Sequence, residues 1–518
     1  MWMERHLLSM NNMFQKSPQS FIRNASLAVI VLFLLIGSRG QAQPAQSLTL
    51  AWNPSTDSTV TGYRLHYGTA SGNYVNTLDV SNTTRATLSN LTAGNTYYFV
   101  VTAYNAGGAE SLPTNEITAI ALPLIYGITA VNYLAGGSAQ LTVTGSAGLT
   151  NKIYGSSDMK SWTLLSTTVN TTGTLMFTDA AATTLNHRFY KATDSTGTTD
   201  PAGFTILAVT GAVSSVSPSY SYLGLGMANA VCYKGTVTSF AAQSIADTGA
   251  VWNENQFNGT GGGCYIEIVS GSHAGLTTDI VATNATTKTL TTEDDLSAYL
   301  AGGEIYKIRR HRTIGDIFGV DNKAGLNGGL TVSVADEIRV LNPVTQAYLT
   351  YYYQTGGTGG TGWRSSTDPA TDASSTPLYL DQGVILCRKV SGNLSLPLTG
   401  MVKTGPTLIP VGTNLNLIAN VYPAGTMTLA NSGLYNGNSA LGLAGSSTVT
   451  NADEIRISNG TGFQVYYYKN SGSGGTGWRI STNLRNDAGK TVIPAGASIF
   501  VVRKNSRASF IWNCAQPF

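Results

Sequence analysis

Apolar residues fall along this chain in short alternating runs broken by Gly, Asn and Pro, the spacing of half-buried strands. In residues 62–68, Tyr63, Leu65 and Tyr67 share one face, and Phe99, Val101 and Ala103 repeat at period two. Residues 48–52 end in Trp52 before an Asn53-Pro54 turn, and residues 414–423 read as a buried strand ending in a turn. One run differs. Residues 27–36 are continuously apolar, follow a basic stretch through Arg23 and precede Gly40-Gln41-Ala42. That is the three-part pattern of a secretory signal, cut after Ala42, and the run is too short to span a bilayer. Met13 offers an alternative start to the leader, and no Cys follows the apolar core as a lipoprotein would require.

Composition narrows the class. Charged residues make up 11% of 518 residues, against roughly 25% in ordinary soluble domains, so Thr, Ser, Asn and Gly supply the polar surface. Long helices and coiled coils are excluded, since they are rich in Ala, Glu, Lys, Leu and Arg. With 42% hydrophobic residues, 26 Tyr and 7 Trp, the chain has cores to build and is not disordered. The formal charge of +3 resides in the leader, so the remainder is neutral. No electrostatic attraction to nucleic acid or anionic membrane is expected. No later run reaches membrane-spanning length, so no transmembrane helix is expected in the mature chain.

Residues 46–122 carry Leu91-Thr92-Ala93-Gly94-Asn95-Thr96-Tyr97, then Val101, Ala103, Asn105 and Gly107. This stretch resembles a fibronectin type III domain, with Ala93 where Pro is usual and no Arg-Gly-Asp. The resemblance implies a β-sandwich that serves exported bacterial proteins as a spacer or presentation module. Residues 123–200 carry Ile153-Tyr154-Gly155-Ser156-Ser157-Asp158, Trp162, Phe177-Thr178-Asp179 and Arg188-Phe189-Tyr190-Lys191. They are similar to small immunoglobulin-like β modules. Asp158 and Asp179 read as turn caps, with calcium binding as the other option.

The C-terminal region is duplicated. Ala335-Asp336-Glu337-Ile338-Arg339 returns as Ala452-Asp453-Glu454-Ile455-Arg456, the triplet 351–353 as 466–468, Trp363-Arg364 as Trp478-Arg479, and Arg388-Lys389 as Arg503-Lys504. The copies are taken as 201–395, with an insertion at about 235–312, and 396–518. Two copies are too few for a solenoid and suit a pair of related β domains. Residues 201–518 resemble an uncharacterised family of exported bacterial proteins through Tyr265-Ile266-Glu267-Ile268, residues 313–319 and the repeated landmarks. That resemblance implies no mechanism. The fold class expected is therefore all-β: signal peptide 1–42, fibronectin type III sandwich, immunoglobulin-like module, duplicated β region.

Catalytic motifs give little. Two Gly-x-Gly-x-x-Gly matches, 357–362 and 472–477, are each followed by Trp-Arg and a strand rather than by a helix, so they read as hairpin loops. His66, His187, His273 and His311 lack zinc-ligand spacing. Asp336/Glu337 and Asp453/Glu454 are adjacent strand residues pointing to opposite faces, so neither pair forms a hydrolytic dyad; salt bridges with Arg339 and Arg456 suit them better. The basic run 307–312 reads as a solvated strand end. Cys232, Cys264, Cys387 and Cys514 permit three pairings, among which the sequence does not choose.

The functional expectation is an exported, non-catalytic protein of the cell surface or extracellular space, with a binding, adhesive or structural role. Extracellular polysaccharide or another surface protein is the partner expected, with no cofactor, no metal and no nucleic acid. A polysaccharide-active enzyme or its accessory module is one alternative, marked by a cleft of converging Asp or Glu. A subunit of an extracellular polymer is another. The candidate ligand platform is Tyr351, Tyr353, Trp363, Tyr466, Tyr468 and Trp478. The face with Phe463, Val465 and Tyr467 is expected to be core and the tyrosines outward; packing of the same rings within the scaffold is the competing expectation.

Overall fold

The computed structural model describes residues 31–35, 45–92, 95–121, 125–214, 217–259, 263–357 and 359–518. The expected signal peptide lies outside the described residues except for Val31–Leu35, a strand paired with Ala45–Ala51. Among the described residues the structure is nearly all β, helix being confined to Ile314–Phe318 and one 3-10 turn, Ala180–Thr184. The chain divides into two compact units, one containing Gln46–Ala121 and the other Leu122–Phe518.

In the first unit, Asn76–Asp79, Val60–Gly68, Thr96–Asn105 and Ile117–Ile120 form one sheet, in that order. A second sheet includes Ala45–Ala51 and Arg85–Thr92. Tyr63, Leu65, Phe99, Val101 and Ala103 meet Leu50, Trp52 and Leu91 in the core, as the period-two pattern predicts. The Tyr97 hydroxyl accepts from the Thr92 amide at 2.9 Å, fixing the corner that precedes the long strand.

The second unit begins with a sandwich of Gly127–Tyr133, Ala139–Thr144 and Thr174–Asp179 against Thr163–Val169, Thr150–Ser156 and His187–Asp194. The latter sheet continues beyond residue 200. Ala202–Val209 pairs with His187–Asp194 on one side and Leu394–Val402 on the other. Asp158 and Asp179 are turn caps: Asp158 accepts from the Lys160 and Ser161 amides, and Asp179 from Ala181, with Arg188 and the Tyr190 hydroxyl also on it.

The duplication is explicit in topology. The first copy orders its five strands Ser219–Gly224, Gly383–Arg388, Glu337–Leu341, Tyr348–Thr355, Thr361–Ser365. The second follows the same order with Asn414–Ala419, Ser498–Arg503, Glu454–Ser458, Phe463–Lys469 and Gly477–Ile480. Between strands of the first copy sits a separate seven-stranded sheet, with Val231–Thr236 at one edge beside Ile305–Arg310 and Ser239–Ala241 at the other, and with its own core around Trp252, Ile266 and Tyr306. The two five-stranded sheets touch through Leu341, Ile385, Leu417 and Phe500.

Candidate functional site

The six aromatic residues of the expected platform are placed in two cores. Trp363 is 0% exposed and Trp478 4%, and Tyr466 is 7% exposed. The register does bring each Trp opposite its tyrosine, Tyr353 to Trp363 and Tyr468 to Trp478, with ring centroids 5.3 and 5.7 Å apart in edge contact. Tyr351 and Tyr353 pack half-buried on the first core, while Tyr468 stacks on Tyr435 at the second. The expected facing is corrected in part: Tyr466 and Tyr468 pack on the core instead of facing outward, while Tyr467 on the opposite face is 0% exposed, as expected. The face with Phe463 turns to the other copy, Phe463 touching Tyr222 and Phe500. Tyr466 and Tyr467 are both buried though they point to opposite faces, so alternation along the middle of this strand carries no sign of which face is outward. Trp363, Trp478 and Tyr466 are too enclosed to stack on a sugar, whereas Tyr351, Tyr353 and Tyr468 are half-buried.

The repeated acidic run is structural. Asp336 and Asp453 are buried and pair with Arg388 at 2.9 Å and Arg503 at 2.6 Å. Each also accepts from the next backbone amide, that of Lys389 or Lys504. Glu337 and Glu454 pair with Arg339 at 2.5 Å and Arg456 at 2.8 Å, as expected, and with Lys389 and Lys504. Burial opposes the Glu337 carboxylate, but Arg339 and Lys389 outweigh it and hold it below the ordinary value.

The glycine-rich matches are hairpin loops of a polarity opposite to a phosphate cradle. Gly359 and Gly474, with φ of +81° and +92°, turn carbonyls inward onto Arg364 and Arg479. Such loops present acceptors already filled by a guanidinium, where a phosphate needs amide donors. The basic run differs from the solvated strand end expected. Lys307 binds Asp200 at 2.6 Å, Arg309 is buried between Asp200 and Glu267, and Arg312 donates to the Thr399 carbonyl. These cations are inside because the inserted sheet packs that strand against the repeats. All four cysteines are free thiols, and Cys232 and Cys264 share one core.

Two concave sites stand out among the described residues. The first, about 460 Å³, lies where the sandwich meets both copies and is lined by Asn186, His187, Tyr220, Ser221, Tyr222 and Ser458 among others, with no carboxylate, Lys or Arg. Tyr220 is 41% exposed, with the Arg339 guanidinium 5.5 Å from its ring; Tyr222 is half-buried, and Tyr348, exposed, lies beside it. Sequence reasoning missed Tyr220 and Tyr222 because they stand on a strand outside the repeated landmarks. Their alternation in Ser219–Gly224, with Ser221 and Leu223 buried between and after them, was the available signal.

The second cleft, about 200 Å³, lies between the inserted sheet and the repeats. Asp279 accepts from His311 at 2.8 Å and from the Tyr379 hydroxyl at 3.0 Å. The His311 ring lies 4.8 Å from Tyr265 and 4.5 Å from Tyr379. Glu293, Asp294 and Asp381 line the same space. Burial lifts the Asp381 carboxyl above its ordinary value, with Asp279 adding repulsion and His311 opposing it. Among the described residues no group of three or more His, Cys, Asp or Glu side chains is placed to hold a metal ion. No helix among them is long and apolar enough to cross a membrane.

Comparison with known proteins places the N-terminal unit. Chitinase A1 of Niallia circulans is 32% identical over 184 residues, covering 34% of this chain and 25% of that protein. The chain thus spans about a quarter of the length of that relative. Among solved structures, the two-domain fibronectin type III segment of chicken tenascin is 15% identical, covering 34% of this chain and 96% of that one, with a TM-score of 0.16. The family 28 exopolygalacturonase of Yersinia enterocolitica is 17% identical, covering 20% of this chain and 21% of that one, also at 0.16. The sequence model of the fibronectin type III domain matches residues 39–119. The chain is modular, and this segment is its fibronectin type III domain.

Proposed function

We propose that this is an exported, non-catalytic modular protein that binds an extracellular polysaccharide, with the uncharged groove at Tyr220 as its binding site. The groove carries the proposal. Its volume falls within the roughly 300–1,000 Å³ usual for ligand sites, and it offers hydroxyl and amide groups beside an exposed tyrosine ring. Tyrosine presents an apolar face and a polar tip, the combination that suits a sugar ring bearing hydroxyls. Among the described residues no carboxylate, Lys or Arg lines the groove itself, and the Arg339 guanidinium lies 5.5 Å from the Tyr220 ring; such a lining matches a neutral glycan. The likeness to a protein named as a chitinase supports a polysaccharide ligand, and the leader pattern of residues 1–42 supports export.

The test is a glycan array probed with the full mature chain and with Tyr220→Ala. Binding to neutral polysaccharide, reduced at least tenfold by Tyr220→Ala with unchanged thermal stability, is expected. Release of reducing ends from any bound polysaccharide would replace the non-catalytic reading by the enzymatic one. Equal binding by both proteins would remove the groove from the account.

A further inference from the structure

The enclosed side of the uncharged groove holds a polar atom with nothing to bond. Three serines line the groove. Ser221 accepts from the Thr210 amide at 3.1 Å and Ser458 from the Gly460 amide at 3.3 Å. Ser498 is 3% exposed, and its hydroxyl oxygen is buried without a hydrogen-bond partner among the described residues. Leaving such a hydroxyl unpaired costs free energy, and buried polar atoms in folded proteins are seldom left so. The oxygen lacks one partner that the described chain does not supply.

The meeting of the two copies puts Ser498 there. It opens the strand Ser498–Arg503 and pairs with Ala419. The preceding Ala497 bridges Leu223 of the first copy, so the groove wall passes from one copy to the other. Gly383 permits the close approach: a Cβ there would lie 2.6 Å from the Ser498 Cβ and 3.0 Å from its oxygen. Tyr220 stands three residues from Leu223 on Ser219–Gly224, a span of roughly 10 Å at about 3.3 Å per residue. The exposed ring and the unpaired hydroxyl are therefore separate points along one groove.

We propose that Ser498 determines the specificity of the groove, its hydroxyl bonding a hydroxyl of a neutral sugar unit whose neighbour in the chain lies on the Tyr220 ring. The inference rests on the polysaccharide reading of this groove and adds which group is read. A serine hydroxyl both donates to and accepts from a sugar hydroxyl. A uronate carboxylate brought to the same point would be buried with no Lys or Arg in the lining, which is costly, so acidic chains are refused. Because both points are filled together, a single sugar ring binds more weakly than a chain.

Calorimetric titration of the full mature chain with hexasaccharides of glucose, of mannose and of N-acetylglucosamine, and with an oligogalacturonate of the same length, tests this. At least one neutral hexasaccharide is expected to bind, and the acidic one is not. Ser498→Ala should weaken that binding roughly tenfold, while the free protein melts at the same or a higher temperature because the unpaired oxygen is gone. A lower melting temperature overturns the proposal, since the hydroxyl would then serve the fold. Unchanged affinity overturns it too, the result expected if a buried water already satisfies the oxygen. Oligogalacturonate binding as tight as that of the neutral chains, or a monosaccharide binding as tightly as its hexasaccharide, does the same. Tyr220→Ala separates the two readings. If it weakens binding and Ser498→Ala does not, the groove stands and this role of Ser498 falls. If no neutral hexasaccharide binds, or if neither substitution alters binding, the polysaccharide reading of the groove falls with it.

Discussion

Asp453, buried, and Asp381, half-buried, are two carboxylates with opposite consequences. Asp453 is fully enclosed with Arg503 and Arg507, at 2.6 and 2.8 Å, and the Lys504 amide completes its shell. A charge so paired can stay ionised inside a fold. Asp381 has no such partner, and burial raises its carboxyl above the ordinary value. Its native state therefore holds a proton more tightly than the unfolded chain does, and stability falls as pH rises from about 3.9 through the raised value. Asp381→Asn should melt at a higher temperature than wild type at pH 7, with the gain shrinking toward pH 4. A lower melting temperature for the variant at pH 7 would mean the carboxylate has a stabilising partner. The groups that set this balance are Asp279 and His311, which face Asp381 across the cleft.

Each repeated hairpin is an element built from the outside inward. The Gly-rich loop turns carbonyls onto the arginine, the arginine anchors the loop, and the adjacent Trp enters the core opposite a tyrosine. Trp478→Ala should accordingly destabilise the second unit by about 3–5 kcal/mol, the range for truncating a buried aromatic side chain. Denaturant unfolding measures it; a change below about 1 kcal/mol would return these rings to the surface. The pairing of Tyr468 with Trp478 was legible in the sequence, and so were the hairpins, the corner at Tyr97 and the Glu337–Arg339 bridge, because each depends on neighbours in sequence or on strand alternation. The outward face of Phe463–Lys469 was not. It depends on which sheet the other copy covers, and that contact joins residues far apart, such as Tyr222, Phe463 and Phe500. The pairing of Lys307 and Arg309 was hidden for the same reason: Asp200 and Glu267 reach them from segments distant in sequence. Both concave sites draw residues from segments far apart in the chain, from 186 to 498 in one and from 265 to 410 in the other, so neither carries a motif.

At the scale of the molecule, the second unit is continuous where the sequence suggests seams. Ala202–Val209 bridges the sandwich and the end of the first copy, and Phe204 shares a core with Tyr190 and Met401. A fragment of residues 201–518 would expose that core and an unpaired strand edge, a recognised route to aggregation. It should be insoluble or unstable, whereas residues 123–518 should unfold in one calorimetric transition. A soluble 201–518 fragment with the stability of the longer one would show that the sandwich contributes no stability to the repeats. The central claim is that polysaccharide occupies the groove these segments form together. Hydrogen exchange of the full mature chain with and without the polysaccharide bound on the array tests it most directly. Protection confined to Ser219–Gly224 and to residues 205–210, 457–460 and 494–498 is expected. Protection at residues 277–294 and 379–381 instead, or at neither place, would contradict it.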